Sequence, residues 1–146
     1  MKLAFVAIAA ALTFSVGAAA AKDGVTNPVV KERMDLMQVV RANTATLGDM
    51  AGGKTAFDAT AATAAKTALA AAAAQIVAKF QANEDDPVAE GRPEIWTNFA
   101  DFTAKAETLV TAAEAVDVAS LAGLQAGMGA IGGTCKACHE AYRAKK

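Results

Sequence analysis

The residues of this chain that can do chemistry are concentrated in one stretch, Cys135 to His139, which reads CKACH. It contains both cysteines and the one histidine of the 146 residues. Two thiols three positions apart on a helix project to the same side, and the adjacent imidazole can reach a metal beside them. Cys-x-x-Cys-His is the attachment motif of c-type haem, whose vinyl groups bond to the two sulfurs while the histidine ligates the iron. The sequence therefore predicts one covalent haem c, with its iron, at Cys135, Cys138 and His139.

Three other uses of these residues compete with haem attachment. A zinc site needs a fourth ligand, and with no further Cys or His in the chain that ligand would have to be a carboxylate. A thioredoxin-type dithiol also has a C-x-x-C motif, but it begins a helix that follows a strand. A chance cluster of core cysteines would leave two free thiols in an exported protein, because this spacing suits a disulfide poorly. The pattern favours haem over all three.

The beginning of the chain has the pattern of an export signal. Lys2 precedes an apolar run from Leu3 to about Val16, and small residues up to Ala21 offer several Ala-x-Ala cleavage sites. A membrane anchor would need about 20 apolar residues, bulkier than these alanines. We predict a cleaved signal peptide at residues 1–21 and a single mature domain at residues 22–146.

Composition narrows the classes of function. Without Lys2 the chain has 13 basic and 15 acidic residues, a balance that argues against nucleic acid and against a basic membrane patch. There is no second histidine and no nucleophile-and-base arrangement, which argues against an enzyme. A helical interaction module without haem stays as an alternative.

Apolar residues recur at helical spacing in four segments, and strand signals are absent. The segments run from about 27 to 50, from about 56 to 82, from about 93 to 113, and from a capping Asp117 to Tyr142. The last has its apolar stripe at Leu121, Leu124, Met128, Ile131, Cys135, Cys138 and Tyr142. Short connections between long helices favour antiparallel neighbours. The predicted fold class is all-α, an antiparallel four-helix bundle with the haem near the C-terminus.

A second axial ligand for the iron must come from upstream of the motif. Only Glu140 to Lys146 follow the histidine, and the methionines of the mature chain are Met34, Met37, Met50 and Met128. A methionine on an apolar helix face is core filler by default.

With CxxCH in the last helix of an exported four-helix chain, followed by Arg143, the sequence resembles the class II c-type cytochromes, the cytochrome c′ family. The similarity is most specific in GGTCKACHEAYRAKK, then in GRPEIWTNFADF, then in KERMDLM. The resemblance implies thioether bonds at Cys135 and Cys138, and His139 as the proximal ligand with Arg143 near its edge.

The resemblance also implies roles for residues outside the motif. Arg33 matches an arginine close to the haem propionates, and Arg92 is a weaker candidate for the same contact. Met34 occupies a position that often carries a polar residue in contact with a propionate. Met37, one turn after Arg33, matches the residue that faces the distal side of the iron.

The family divides at the position of Met37. Its low-spin members use a methionine there as sixth ligand, and its high-spin members leave the distal side open behind an apolar residue. We expect iron ligated by His139 and Met37, and one-electron transfer between exported redox proteins in the periplasm. The alternative is a five-coordinate cytochrome c′ that binds nitric oxide or carbon monoxide. A homodimer through the first two helices is also compatible with the sequence.

Overall fold

The computed structural model describes residues 24–145, so the predicted signal peptide at residues 1–21 lies outside the described residues. Within that range the chain forms six helices. They are α1 (Pro28–Ala51), α2 (Ala59–Ala73), α3 (Ile76–Lys79), α4 (Glu94–Thr97), α5 (Phe99–Ala115) and α6 (Leu121–Tyr142). The four long helices pack in a closed ring, since α1 contacts α2, α2 contacts α5, α5 contacts α6, and α6 contacts α1. The predicted four-helix bundle is confirmed.

Helix α1 begins and ends where its sequence indicates. The Asn27 side chain accepts hydrogen bonds from the backbone N–H groups of Val29 and Val30, and Pro28 occupies the first helical position. These features satisfy free N–H groups and fix φ at the helix start. At the other end Gly53 adopts a positive φ of 73°, a conformation that glycine enters without a Cβ penalty. The helix therefore presents a long, straight series of side chains to the site.

The second predicted helix is interrupted. Asp58 caps α2 by accepting from Thr60 N and Ala61 N, but the last α-helical hydrogen bond before the interruption is donated by Ala74 N to Ala70 O. At Gln75 the backbone N–H bonds to Ala72 O, three residues back, so the chain tightens for about one turn before α3. Nothing in the alanine-rich sequence indicates this break, because alanine suits both helix types.

The third and fourth predicted helices also differ at their starts. Asn98, with φ −125° and ψ 41°, separates the single turn α4 from α5. The cap of α6 is Ser120, whose Oγ accepts from Gly123 N, while Asp117 accepts from Ala119 N in the preceding turn. The prediction of Asp117 as cap was therefore wrong by three residues, because two capping side chains stand close together in the sequence.

The core is built from large residues on α1, α2, α4 and α6, and from alanines on α2. Leu47, Leu69, Ile95, Leu124 and Ile131 are the largest fully buried side chains. The alanines that face inward from α2 are Ala62, Ala65, Ala72 and Ala73. Small side chains let the neighbouring backbones approach closely. Leu121, predicted to lie on the buried stripe of α6, is instead 38% exposed, because it is the first residue of the helix.

The segment between α3 and α4, residues 80–93, crosses from the start of α1 to the end of α6, and we call it the strap. At one end Asp86 accepts hydrogen bonds from Thr26 N, Thr26 Oγ1 and Asn27 N over 2.8–3.0 Å. These bonds, with one from Val88 N, lower the pKa of Asp86 to about 2. At the other end Arg92 N donates to Tyr142 O, and Ala144 N donates to Glu90 O. The strap therefore joins the two helices that carry the predicted iron ligands.

None of the helices in residues 24–145 combines the length and apolar character that crossing a membrane would require.

Candidate functional site

One cavity of about 860 Å³ collects most of the predicted site residues. Its walls come from α1, α3, the strap, α4, α5 and α6. Cys135, Cys138 and His139 line it from α6, and Met37 lines it from α1. Apolar and aromatic side chains form most of the remaining wall, as expected for a large planar organic group. The structure thus brings the CKACH residues and the predicted distal residue to the same space.

The two cysteines are half-buried free thiols that face this cavity. They occupy positions 135 and 138 of the α6 stripe, four and seven residues after the fully buried Ile131. Desolvation by burial raises the pKa of both thiols, and the Lys105 side chain opposes this for Cys138. Two protonated thiols on one helix face, at an apolar cavity, are suited to thioether formation with a bound porphyrin.

The pKa of His139 is lowered, because neighbouring atoms partly desolvate the imidazole and because the Arg143 cation lies close by. Both effects favour the neutral ring, which is the form that ligates a metal. Arg143 is itself held by Glu90 of the strap, with Nε 2.7 Å and Nη2 2.6 Å from Oε2. The charge beside the histidine is therefore fixed in position.

The methionines fall into two groups. Met34 and Met37, one turn apart on α1, line the cavity. Met50 is buried in the core at 6% exposure, and Met128 packs against the core near Gly48. Among the methionines of the described chain, the candidates for an axial ligand are therefore Met34 and Met37.

The two arginines predicted to reach haem propionates have different surroundings. Arg33 lines the cavity and is buried at 5% exposure, with its guanidinium bonded to backbone carbonyls. Arg92 is not among the residues that line the cavity, and its Nη2 donates to Glu94 Oε1 over 2.6 Å. The structure therefore brings Arg33 to the site and does not bring Arg92 there.

Sequence reasoning missed other polar residues of the cavity wall. Lys105, Arg41 and Tyr142 all line it. Lys105 shares a helix face with Phe102 and Leu109, and Arg41 follows Met37 by one turn, so helical spacing could have found both. The sequence predicts Tyr142 only as part of the apolar stripe of α6, but its hydroxyl also lies 2.5 Å from Asp101 Oδ2.

Within residues 24–145, no three His, Cys, Asp or Glu side chains are grouped so that they could hold a metal ion by themselves.

A sequence model of the family described as cytochrome c′ matches residues 28–143 of the chain. The chain belongs to the cytochrome c′ family. The match begins at the first residue of α1 and ends one residue after α6, so it covers the whole bundle.

Individual relatives agree with this assignment. Cytochrome c-556 of Agrobacterium tumefaciens is 41% identical over 118 residues, which are 78% of this chain and 93% of that protein. The structure of a cytochrome c′ from Rhodobacter sphaeroides superimposes with a TM-score of 0.75 at 29% identity, covering 81% of this chain and 96% of that one. A nitric oxide complex of a cytochrome c′ mutant from Alcaligenes xylosoxidans gives a TM-score of 0.72 at 28% identity, with coverages of 80% and 94%.

As a member of this family the chain carries one covalently attached haem c with its iron. The cavity fits such a group, because it offers two thiols on one helix face, a neutral imidazole, apolar walls and cationic side chains at its border. Residues for each part of a haem are thus present in one place.

Proposed function

We propose that this cytochrome c′ family protein carries single electrons between exported redox proteins in the periplasm, with its iron held by His139 and Met37. The observation that carries the proposal is that Met37 and His139 line the same cavity from α1 and α6. Haem iron with both axial positions filled by protein exchanges one electron with little rearrangement.

In this proposal each residue of the site has one task. Cys135 and Cys138 would hold the porphyrin on α6 through two thioether bonds. The neutral ring of His139 offers a nitrogen to the iron from the adjacent position. Arg143, paired with Glu90, keeps a cation near that ring. These residues bind and orient, and none of them needs to turn over a substrate, so we assign no enzymatic activity.

The choice of Met37 over Met34 rests on the resemblance together with the position of both residues on the cavity wall. A thioether sulfur is a soft donor that suits haem iron and raises its reduction potential. Met34 lies one turn toward the N-terminus of Met37 on the same cavity wall. It is therefore the alternative ligand that an experiment on Met37 must exclude.

Replacing Met37 with Leu keeps the side-chain volume and removes the sulfur. We expect the purified haem protein to have a low-spin absorption spectrum and no response to carbon monoxide, and the Met37→Leu variant to become high-spin and to bind carbon monoxide. Met128→Leu, in which the replaced methionine lies outside the cavity, should keep the spectrum of the unmodified protein. A low-spin Met37→Leu protein together with a high-spin Met34→Leu protein would reverse the assignment.

The second candidate function is gas binding at a five-coordinate iron. The solved relative with bound nitric oxide favours it, since that protein has the same fold at 28% identity. The two functions separate in one experiment on the unmodified protein. A high-spin spectrum that shifts readily on addition of nitric oxide or carbon monoxide would establish gas binding and exclude Met37 as a resident ligand.

The periplasmic location and the cleavage of residues 1–21 complete the proposal. The cleavage is predicted from the export signal in the sequence, and the periplasmic location from that signal together with the family. A homodimer remains part of the proposal because the family is often dimeric. Sedimentation velocity over a range of protein concentrations will measure the oligomeric state directly.

A further inference from the structure

Arg33 is a buried charge whose partners are unusual for a predicted carboxylate-binding residue. It is 5% exposed, and arginine is rarely buried to this degree without a partner. Its hydrogen bonds among the described residues all go to backbone carbonyl oxygens. Nε donates to Lys79 O over 2.9 Å, Nη1 donates to Glu84 O over 2.8 Å, and Nη2 donates to Ala82 O.

The same guanidinium lies over two aromatic rings. Its central carbon lies 5.1 Å from the ring centre of Phe80 and 5.3 Å from that of Trp96. The two rings are themselves joined, because Trp96 Nε1 donates to Phe80 O over 2.9 Å. Cation–π contacts of this kind add to the hydrogen bonds of the guanidinium.

Through these contacts, a single side chain on α1 holds one end of the strap in place. Lys79 is the last residue of α3. Ala82 and Glu84 are the strap residues whose backbone carbonyls accept hydrogen bonds from the guanidinium. The strap in turn supplies cavity wall at Phe80, Glu84, Asp85, Ala89, Glu90 and Gly91. The planar guanidinium of arginine has donors on three nitrogens, so it can bond three carbonyls at once. A lysine ammonium on its flexible stem cannot hold three carbonyls in this arrangement.

We propose that Arg33 is a positioning residue that pins the strap to α1 and acts on the haem site through that wall. Three of the five guanidinium N–H groups are used by the carbonyls, so the anchoring of the strap is the main use of the side chain. This role differs from direct pairing with a haem carboxylate, for which a positive charge near the carboxylate would suffice.

Arg33→Lys and Arg33→Gln separate anchoring of the strap from pairing with a haem carboxylate. Lysine keeps the positive charge but loses the planar guanidinium, and glutamine loses both. In the haem-containing protein we expect amide hydrogen exchange in residues 80–92 to become about tenfold faster in both variants, as the loss of two or three hydrogen bonds predicts. Lys79→Gln is the matched control. It removes an exposed ion pair of 2.6 Å between Lys79 and Glu32, which joins the same two segments, and an exposed pair contributes little.

The midpoint potential and its pH profile provide a readout beyond local structure. If Arg33 acts through the strap, Arg33→Lys will shift the midpoint potential in the same direction as Arg33→Gln. Both variants free the strap, which forms part of the cavity wall around the haem. A lysine variant that restores the exchange rates, or that keeps the potential and pH profile of the unmodified protein, would overturn the proposal. The exchange measurement does not depend on how the iron is ligated, so it stands or falls separately from the proposed function.

If neither Arg33 variant folds, Trp96→Phe tests the same assembly with a milder change. It keeps a ring over the guanidinium and removes the hydrogen bond to Phe80 O. We expect a smaller rise in exchange, confined to residues 80–92. Unchanged exchange throughout the strap in Trp96→Phe would contradict the proposed anchoring.

Discussion

Tyr142 is the one tyrosine of the chain, and it ends the helix that carries the haem motif. Its hydroxyl donates to Asp101 Oδ2 over 2.5 Å, and its ring meets Phe102 edge-on at 5.4 Å. The hydrogen bond to the carboxylate raises the pKa of Tyr142 to about 12, because ionising the phenol would place a second negative charge beside Asp101.

The alkaline titration of this phenol can be measured without assignment, since no other tyrosine contributes. We expect the phenolate absorbance change to have its midpoint near pH 12, against an ordinary value of 10. A raised pKa means that the phenol stabilises the folded state fully below pH 10, and that this contribution is lost as the pH rises through the folded-state value. Asp101→Asn should move the midpoint toward 10. A midpoint near 10 in the unmodified protein would contradict the hydrogen bond.

At the level of single residues, the sequence was informative where chemistry and spacing coincide. Cys135, Cys138 and His139 were placed together because their types and spacing admit few uses. The role of Arg33 could not be read in the same way, because its partners are carbonyl groups 46 to 51 residues away. Every residue has a carbonyl, so no side-chain pattern marks which ones will be bonded.

Helix α6 packs tightly against the link from α5 at a glycine. A Cβ added at Gly127 would lie 2.4 Å from Val116 Cγ2 and 3.3 Å from Val116 Cα. Val116 is buried at 2% exposure in the link between α5 and α6, so it has little freedom to move. Gly129, two residues later, has nothing within 4 Å of the same position.

Matched substitutions at these two glycines should have opposite effects on stability. We expect Gly127→Ala to reduce the free energy of unfolding by about 1–3 kcal/mol through overpacking. Gly129→Ala should increase it by about 0.5–1 kcal/mol, because alanine favours helix and meets no neighbour. Chemical denaturation of the haem protein measures both. A destabilised Gly129→Ala variant, or an unaffected Gly127→Ala variant, would refute this packing.

The positions of the long helices could be predicted from the spacing of apolar residues and from capping residues. The interruptions within the second and third predicted helices could not. Asn27, Pro28 and Gly53 are local signals that act within one turn, so they marked α1 from the sequence. No cap, glycine or proline in the sequence marks the breaks at Gln75 and Asn98. Trp96, which bonds to Phe80 O from α4, is an example of a contact that no local pattern indicates.

The whole molecule is arranged around its cavity. The volume of the cavity is about 860 Å³, and apolar side chains that an empty site would leave in contact with solvent form much of its wall. Removing apolar surface from water is the main favourable contribution to folding, so we expect the bundle to need its haem to keep this shape.

We therefore expect the protein made without haem to lose its fixed tertiary packing while it keeps much of its helix. Near-ultraviolet circular dichroism should be lost, far-ultraviolet helix signal should largely remain, and a hydrophobic dye should bind. The sample to use is the Cys135→Ser/Cys138→Ser protein, exported from a host that matures c-type cytochromes. A sharp, cooperative thermal transition at the temperature of the haem protein would show that the bundle is stable by itself.

The most direct test of the account is the intact mass of the exported protein under denaturing conditions. It should be made in a host that matures c-type cytochromes. We predict a polypeptide that starts near residue 22 and carries the added mass of one haem, and a bare polypeptide when Cys135 and Cys138 are both replaced by serine. A bare polypeptide from the unmodified sequence would contradict the haem site and the function proposed from it.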